Sequence, residues 1–337
     1  MEAYLYENVG NGKVKCNLCG HRCLVKDGRR GICGVRENRG GVLHTLVFDK
    51  LIARHIDPIE KKPLYHFLPG SRSYSVATVG CNFKCRFCQN ADIAQMPADQ
   101  NGVILGEPCT PQEVVAAAVD GDCRSISYTY TEPTVFFEFA FETARLGHAQ
   151  GLKNVFVTNG YMTAEALEMI RPYLDAANVD LKAFSQKFYR EVCGAKLAPV
   201  TETLKKAKSS GIFLEVTTLI VPGLNDEPEE LEALAAFLAG ELGPETPWHI
   251  SRFHPTYKLT DRPPTPLDTL MKARDIGLAA GLRYVYTGNV PGETGENTFC
   301  PGCGRIVIER WGFQIRRSAL DAGRCRYCQT VIDGVGL

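Results

Sequence analysis

Long apolar runs are missing from these 337 residues: no stretch reaches the roughly 18 consecutive apolar positions that a membrane-spanning helix needs. An excess of either charge is missing too. Lys+Arg and Asp+Glu each number 38, a formal net charge of zero, which argues against a surface built to coat nucleic acid. The opening run Met1-Glu-Ala-Tyr-Leu-Tyr-Glu7 has neither the basic start nor the apolar core of a secretory signal. A cytoplasmic location with no membrane partner is the expectation.

Cysteine is abundant, at fourteen. In a reducing compartment so many thiols read as metal ligands or inert core residues rather than disulfides. All but Cys109, Cys123 and Cys193 fall into three sets; those three read as small buried hydrophobes. The central set, Cys81, Cys85 and Cys88, has the spacing C-x3-C-x2-C and lacks a nearby fourth cysteine. A structural zinc ion wants four protein ligands to close its tetrahedron. A [4Fe–4S] cluster held by three thiolates keeps one iron open to a ligand. The missing fourth cysteine therefore points to an iron–sulfur centre that does chemistry.

The two outer sets contain four cysteines each. Cys300-Pro-Gly-Cys303 and Cys325-Arg-Tyr-Cys328, 21 residues apart, are spaced as in a zinc ribbon, and a tail this small needs such a staple to fold. Cys16, Cys19, Cys23 and Cys33 are crowded; zinc or a second iron–sulfur cluster fits the spacing, with zinc favoured. His21 lies among them and could replace one as a ligand; its plain reading is a surface histidine.

Three regions follow: an N-terminal Cys-rich segment (1–70), a repeating region (71–290) and a C-terminal zinc-ribbon-like module (291–337). In the repeat, β-branched and apolar runs at Ser75–Val79, Ser125–Thr129, Asn154–Thr158, Asn178–Leu181, Phe213–Leu219, Trp248–Arg252 and Arg283–Thr287 read as strands. Helical segments separate them. Thr110-Pro111-Gln-Glu113 orders a cap, a first-turn proline and a capping-box glutamate; Thr265-Pro266-Leu-Asp268 and Asp226-Glu-Pro228-Glu229 start similarly. Alternating strands and helices predict an α/β fold with a parallel sheet. About six units fall short of the eight of a closed barrel, so the expected fold is an incomplete (β/α)6 TIM-like barrel.

Sites in such folds form at the C-terminal strand ends. Residues two apart on a strand share a face, which turns Asn178, Asp180 and Lys182 inward and Val179 and Leu181 toward the helices. Glu132 follows the second strand, Thr158-Asn159-Gly160 the third, Val221-Pro-Gly the fifth, and Arg252 and His254 the sixth. Each has a plain reading beside the functional one: a structural Asp180–Lys182 pair, a helix-start glutamate, a structural histidine.

With aromatic Phe87 before its last cysteine, the run Cys81-Asn-Phe-Lys-Cys-Arg-Phe-Cys-Gln-Asn resembles the signature of the radical S-adenosylmethionine (SAM) enzymes. Ser75 to Thr287 resembles the activating enzymes of glycyl-radical proteins, such as pyruvate formate-lyase activase, which have counterparts of Thr158-Asn-Gly, Asp180-Leu-Lys182, Val221-Pro-Gly and Phe253-His254. The whole chain, including Cys16–Cys33 and His55-Ile-Asp57-Pro-Ile-Glu60-Lys-Lys-Pro63, is similar to the radical SAM member of the AmmeMemoRadiSam system.

The resemblance implies a [4Fe–4S] cluster on Cys81, Cys85 and Cys88, reductive cleavage of SAM to a 5′-deoxyadenosyl radical, and hydrogen abstraction from a protein or peptide substrate. It implies Glu132 on the SAM ammonium, Phe87 near the adenine, and Thr158, Asn159, Asp180, Lys182 and His254 around the cofactor, with Lys182 counted also among the catalytic residues. Implied partners are an electron donor such as flavodoxin or ferredoxin, and AMMECR-type and Memo-type proteins. Two departures stand out: the activases have a glycine pair before the glutamate where this chain has Thr129-Tyr-Thr131, and an aspartate where it has Val157. Radical modification of a small molecule or RNA base, and a non-catalytic zinc-binding protein, are the alternatives.

Overall fold

The computed structural model describes residues 1–290 and 294–337. Its main element is an eight-stranded sheet. We number its strands β1 (Ala53–Pro58), β2 (Arg72–Ala77), β3 (Ser125–Tyr128), β4 (Lys153–Thr158), β5 (Ala176–Asp180), β6 (Phe213–Ile220), β7 (Trp248–Arg252) and β8 (Val285–Gly288). They lie side by side in chain order, from β1 at one edge to β8 at the other. From β2 to β8 every pairing is parallel; β1 alone runs antiparallel, with His55 opposite Ser75. The helices α1 (Pro111–Asp120), α2 (Phe137–Ala149), α3 (Ala164–Ile170), α4 (Leu197–Ser209), α5 (Pro228–Phe237) and α6 (Leu267–Ala279) occupy the six successive connections between β2 and β8. The sequence thus yields six strand–helix units and a further parallel strand.

Local chemistry accounts for most of these elements. Thr110 and Glu113 form the expected reciprocal box: the Glu113 carboxylate accepts the Thr110 N–H at 2.6 Å, and the Thr110 hydroxyl accepts the Glu113 N–H at 3.2 Å. Strand alternation then sorts the faces. Ile126 on β3 abuts Gly147 of α2, where an added Cβ would lie 3.2 Å from its Cδ1. Ser125 and Ser127 take the opposite face, where Ser73 of β2 bonds the Ser127 hydroxyl at 2.6 Å. The layer under the helices is apolar, and the opposite face carries buried Asn178, Glu215 and His249.

Three expectations need correction. Thr265 does not cap α6: its hydroxyl donates to the Ile220 carbonyl (2.6 Å) and accepts the Phe253 N–H (2.9 Å), and Pro266 occupies the cap position. The first parallel strand is Arg72–Ala77 rather than Ser75–Val79. It ends earlier because Gly80 turns at φ +102 against the N-terminal segment, where a Cβ would sit 2.6 Å from Val35 Cγ1. The expected boundary after residue 70 also cuts across the sheet, since β1 belongs to it. That strand was illegible because its residues are mostly exposed, as an edge allows.

The N-terminal segment is otherwise short strands. Tyr6–Gly10, Lys13–Cys16 and Leu24–Lys26 form an antiparallel sheet, and Arg36–Arg39 pairs with Val42–Thr45. Gly40 and Gly41, both at positive φ, supply the two left-handed residues of that hairpin turn.

The C-terminal strands Thr298–Phe299, Ile306–Trp311 and Gln314–Ser318 form an antiparallel sheet docked on the body of the fold. Buried Arg310 donates to the Tyr65 carbonyl at 2.9 Å and lies over the Tyr65 ring, 4.3 Å from its centre. Val335 exchanges backbone bonds with His66 and Leu68. Buried Glu215 anchors the same segment from β6, accepting the Tyr65 and His66 N–H groups at 3.0 and 2.7 Å and bonding His249 at 2.6 Å.

Candidate active site

The loop after β2 carries the central cysteines. Two backbone bonds zip it to the segment after β5: Lys84 N–H to the Cys193 carbonyl at 2.8 Å and Arg86 N–H to the Val192 carbonyl at 3.0 Å. Buried Gln95 closes the other side, donating to the Phe83 carbonyl at 3.0 Å. Phe83 wedges between Tyr161 and Tyr189, with ring centres 5.1 and 6.1 Å away. A loop held at so many points presents its side chains in one arrangement.

Cys81, Cys85 and Cys88 line one cavity of about 360 Å³ at the C-terminal ends of the strands, together with Phe87, Tyr130, Glu132, Asn159, Asp180 and Lys182. No three of its cysteine and carboxylate ligand atoms approach within 4.8 Å of one another, as they would around a single ion. Wider separation fits a cluster, in which each thiolate binds its own iron. The Phe83 N–H points at the Cys81 sulfur, 3.3 Å away, and Asn159 Nδ2 lies 3.8 Å from it. Such donors stabilise thiolate charge and tune a cluster. Burial pushes the Cys81 thiol up, and burial raises Cys88 to about 11; the Cys193 thiol, then burial, raise Cys85. These shifts favour the neutral thiols, and a bound metal centre would favour the thiolates instead.

Glu132 is buried rather than an exposed helix-start residue. Its Oε1 accepts the Thr134 N–H and hydroxyl at 3.0 and 2.6 Å and the Thr158 hydroxyl at 2.7 Å; its Oε2 accepts the Asn159 N–H at 2.8 Å. Burial nevertheless raises its pKa. The glutamate thereby fixes Thr158-Asn159-Gly160, and Asn159 Nδ2 in turn donates to Asn82 Oδ1 at 2.7 Å inside the cysteine loop.

Asp180 and Lys182 do pair, at 3.0 Å, and both face the cavity. Burial opposes the Lys182 charge, but the neighbouring Asp180 carboxylate holds its pKa well above the usual value. The ammonium lies 5.8 Å from the centre of the Phe87 ring. The Val221-Pro-Gly turn positions Lys182 indirectly: Asn225 donates to the Lys182 and Leu219 carbonyls at 2.7 and 2.9 Å and accepts the Val221 N–H at 2.7 Å.

His254 is exposed and lies apart from the cysteines. It borders a second cavity, of about 800 Å³, which also takes in Arg252, His249, Trp311 and Phe313. Gln89, Thr217, Ser251, Asn289 and Phe313 line both cavities, so the two form one cleft.

One group was missed from sequence. Tyr130 takes a left-handed φ of +62. That costs about 1–2 kcal/mol for a residue with a Cβ. Its hydroxyl donates to Asp57, which also pairs with Lys62 at 2.7 Å and Lys61 at 2.9 Å. The Lys62 ammonium sits 4.5 Å from the centre of the Tyr130 ring. The tyrosine thus ties β1 to the strand ends, an interaction glycine could not make. The charged run Asp57–Lys62 was the available signal, but it carries no local motif.

The C-terminal four cysteines do converge. All four sulfurs lie within 4.8 Å of one another, with Cys300–Cys328 at 3.5 Å and Cys303–Cys325 at 3.8 Å. That is single-ion geometry. Isolated Cys109, Cys123 and Cys193 are buried, as expected. His21 is not a free surface residue: its Nε2 meets the Asn82 carbonyl at 2.7 Å. No helix among the described residues is long and apolar enough to cross a membrane.

Comparison with known proteins agrees with this geometry. Residues 75–238 match the Radical SAM superfamily. An uncharacterized protein of Methanocaldococcus jannaschii is 48% identical over 334 residues, 98% of each chain. The pyruvate formate-lyase-activating enzyme of Clostridium pasteurianum is 24% identical over 173 residues, 50% of this chain and 69% of that protein. Among solved structures, Streptococcus suis SuiB bound to S-adenosylmethionine has a TM-score of 0.51 at 14% identity, covering 68% of this chain and 53% of that one; this likeness concerns the fold alone.

Proposed function

From the chain's membership of the radical SAM superfamily, carried by residues 75–238, we propose that this enzyme abstracts a hydrogen atom from a protein or peptide substrate in the manner of a glycyl-radical activase. The observation that carries the reading is the junction of the three-cysteine cavity with a cleft more than twice its size. The smaller cavity suits the cluster and SAM; the larger is wide enough for a peptide segment.

Cys81, Cys85 and Cys88 would hold a [4Fe–4S] cluster through three irons, leaving the fourth open. Such a cluster would supply the electron for reductive cleavage of SAM, and the resulting radical chemistry would act on the substrate hydrogen. The protein's own part is positioning. Asn159 and the Phe83 N–H steady the Cys81 sulfur. Lys182 offers a positive charge for a carboxylate, Asp180 a negative charge for an ammonium, and Phe87 a flat apolar face. Glu132 lines the cavity with its charge already shared among four donors, so it shapes the SAM pocket through the Thr158–Asn159 turn and presents only its remaining Oε2 lone pair to an ammonium. His254 belongs with the substrate cleft rather than with SAM.

A structural zinc on Cys300, Cys303, Cys325 and Cys328 completes the proposal. So do cytoplasmic operation with a flavodoxin- or ferredoxin-type donor, and AMMECR-type and Memo-type proteins as partners. The activating-enzyme relatives named for protein-directed chemistry support the substrate class. Anaerobic incubation with SAM and dithionite is expected to release 5′-deoxyadenosine, and the Cys81/Cys85/Cys88→Ala variant none. Reconstituted wild-type protein that leaves SAM intact would end this reading.

A further inference from the structure

The four N-terminal cysteines surround one small cavity. Cys16, Cys19, Cys23 and Cys33 line it with His21 and Arg36. Two independent observations say what belongs there.

The first is spacing. Around a tetrahedral zinc with bonds of about 2.3 Å, thiolate sulfurs stand about 3.8 Å apart. The C-terminal cysteines meet that demand, with sulfur pairs at 3.5 and 3.8 Å. No three of the N-terminal sulfurs come within 4.8 Å of one another, and in this they match Cys81, Cys85 and Cys88. The same chain therefore holds one cysteine set drawn in to single-ion distance and two held wider.

The second is an arginine. Arg36 is 2% exposed, and its Nη2 donates to Glu138 Oε1 at 2.8 Å and to the Tyr4 carbonyl. Its Nε and Nη1 are buried without a partner among the described residues. Unsatisfied guanidinium N–H groups in the interior are costly. Glu138 Oε2 is likewise without a partner among the described residues; because Arg36 also lines the cysteine cavity, thiolate or inorganic sulfide held there would supply acceptors on its other side.

Position gives the site a use. The N-terminal set abuts the central cysteine loop: a Cβ on Gly80 would lie 3.2 Å from the Cys33 carbonyl, and His21 Nε2 meets the Asn82 carbonyl at 2.7 Å. On its outer side, Leu24 and Ile32, next to Cys23 and Cys33, are 59% and 47% exposed. The set thus lies between solvent and Cys81.

We propose that Cys16, Cys19, Cys23 and Cys33 hold a second [4Fe–4S] cluster, fully ligated by the protein, that passes electrons to the first. One electron enters from a reduced one-electron donor protein. The outer cluster is reduced and then reoxidised as the inner one is reduced; no bond or proton changes hands. The relay rests on the radical SAM reading, but the metal assignment does not.

Metal analysis of the anaerobically reconstituted full chain tests the assignment. The Cys81/Cys85/Cys88→Ala variant leaves the outer set intact and is expected to keep about four iron and four sulfide per chain, with an S = 1/2 EPR signal on reduction. A variant holding zinc at about two per chain and no iron overturns the assignment. For the relay, Cys19→Ser/Cys23→Ser is compared with wild type under two reductants. SAM cleavage with dithionite is expected to stay within about twofold, while cleavage with reduced flavodoxin falls about tenfold or more. Equal flavodoxin-driven rates overturn the relay. Should the double variant fail to fold, EPR-monitored freeze-quench of wild type with reduced flavodoxin decides: an outer-cluster signal that rises first supports the relay, and one that never forms overturns it.

Discussion

Glu132 Oε2 accepts the Asn159 N–H at 2.8 Å, so a buried carboxylate, not a backbone ladder, fixes the turn beside the Cys81 sulfur. Both oxygens act only as acceptors. In Glu132→Gln the amide oxygen can keep the Thr134 and Thr158 bonds, but the amide NH2 then faces the Asn159 N–H donor to donor. The expected cost is about 1–3 kcal/mol of stability, read by denaturant unfolding of the metal-free protein. 5′-Deoxyadenosine yield should fall with it, because Asn159 loses its register against Asn82 and Cys81. Unchanged stability would mean that the turn holds itself.

Asp57 sets an acid limit on the fold. Burial alone would raise its pKa, but bonds from Lys62, Tyr130 and Lys61 hold it well below the usual carboxylate range. A carboxyl whose folded pKa lies below its unfolded value stabilises the fold fully above the unfolded value and loses that contribution as pH falls beneath it. Wild type should therefore lose thermal stability progressively as pH falls below about 4, the loss continuing to the lowest pH at which the fold survives, and Asp57→Asn should flatten this fall. The variant should be less stable at neutral pH, because Lys62, already lowered to about 8 by burial, loses its counter-charge. Melting curves across pH for both proteins check this.

What sequence could show divides along a physical line. The shared cavity of Cys81, Cys85 and Cys88 was legible from their residue type and fixed spacing, and that of Asp180 and Lys182 from strand alternation, which fixes their face. The strand β7 was placed to the residue because apolar Trp248 and Ile250 alternate with polar His249 and Ser251, and Pro247 and Pro255 flank the run. Tyr130, Asp57 and Lys62 were not legible, since their value lies in a contact across 73 residues that leaves no local pattern. His254 lines the larger part of the cleft, and its position after a strand does not by itself say which ligand it would meet. For the N-terminal cysteines the spacing alone left zinc and a cluster both open, because the two centres accept similar spacings.

The C-terminal cysteines should behave as a staple independent of the chemistry. Cys303→Ser removes one of four converging sulfurs. Mass spectrometry is expected to show loss of about one zinc per chain with iron retained. The docked module should loosen, lowering the melting temperature, because Arg310 and Val335 hold it only while its own strands stay folded. Iron lost together with zinc would contradict the separation of the two centres.

Substrate engagement should be separable from SAM cleavage at the mouth of the cleft. Trp311 and Phe313 line the larger cavity yet remain 61% and 46% exposed, an aromatic pair of the kind that anchors a bound peptide. Trp311 touches none of the cysteine cavity, whereas Phe313 borders both. Trp311→Ala should therefore leave substrate-free 5′-deoxyadenosine formation near wild type, while hydrogen abstraction from a bound protein or peptide falls through a raised KM. Truncating an exposed interfacial aromatic costs about 2 kcal/mol of binding, roughly thirtyfold in affinity. Phe313→Ala should affect both reactions. Parallel assays with and without substrate distinguish the cases: if Trp311→Ala slows uncoupled cleavage as much as abstraction, the larger cavity serves SAM, and the substrate must enter elsewhere.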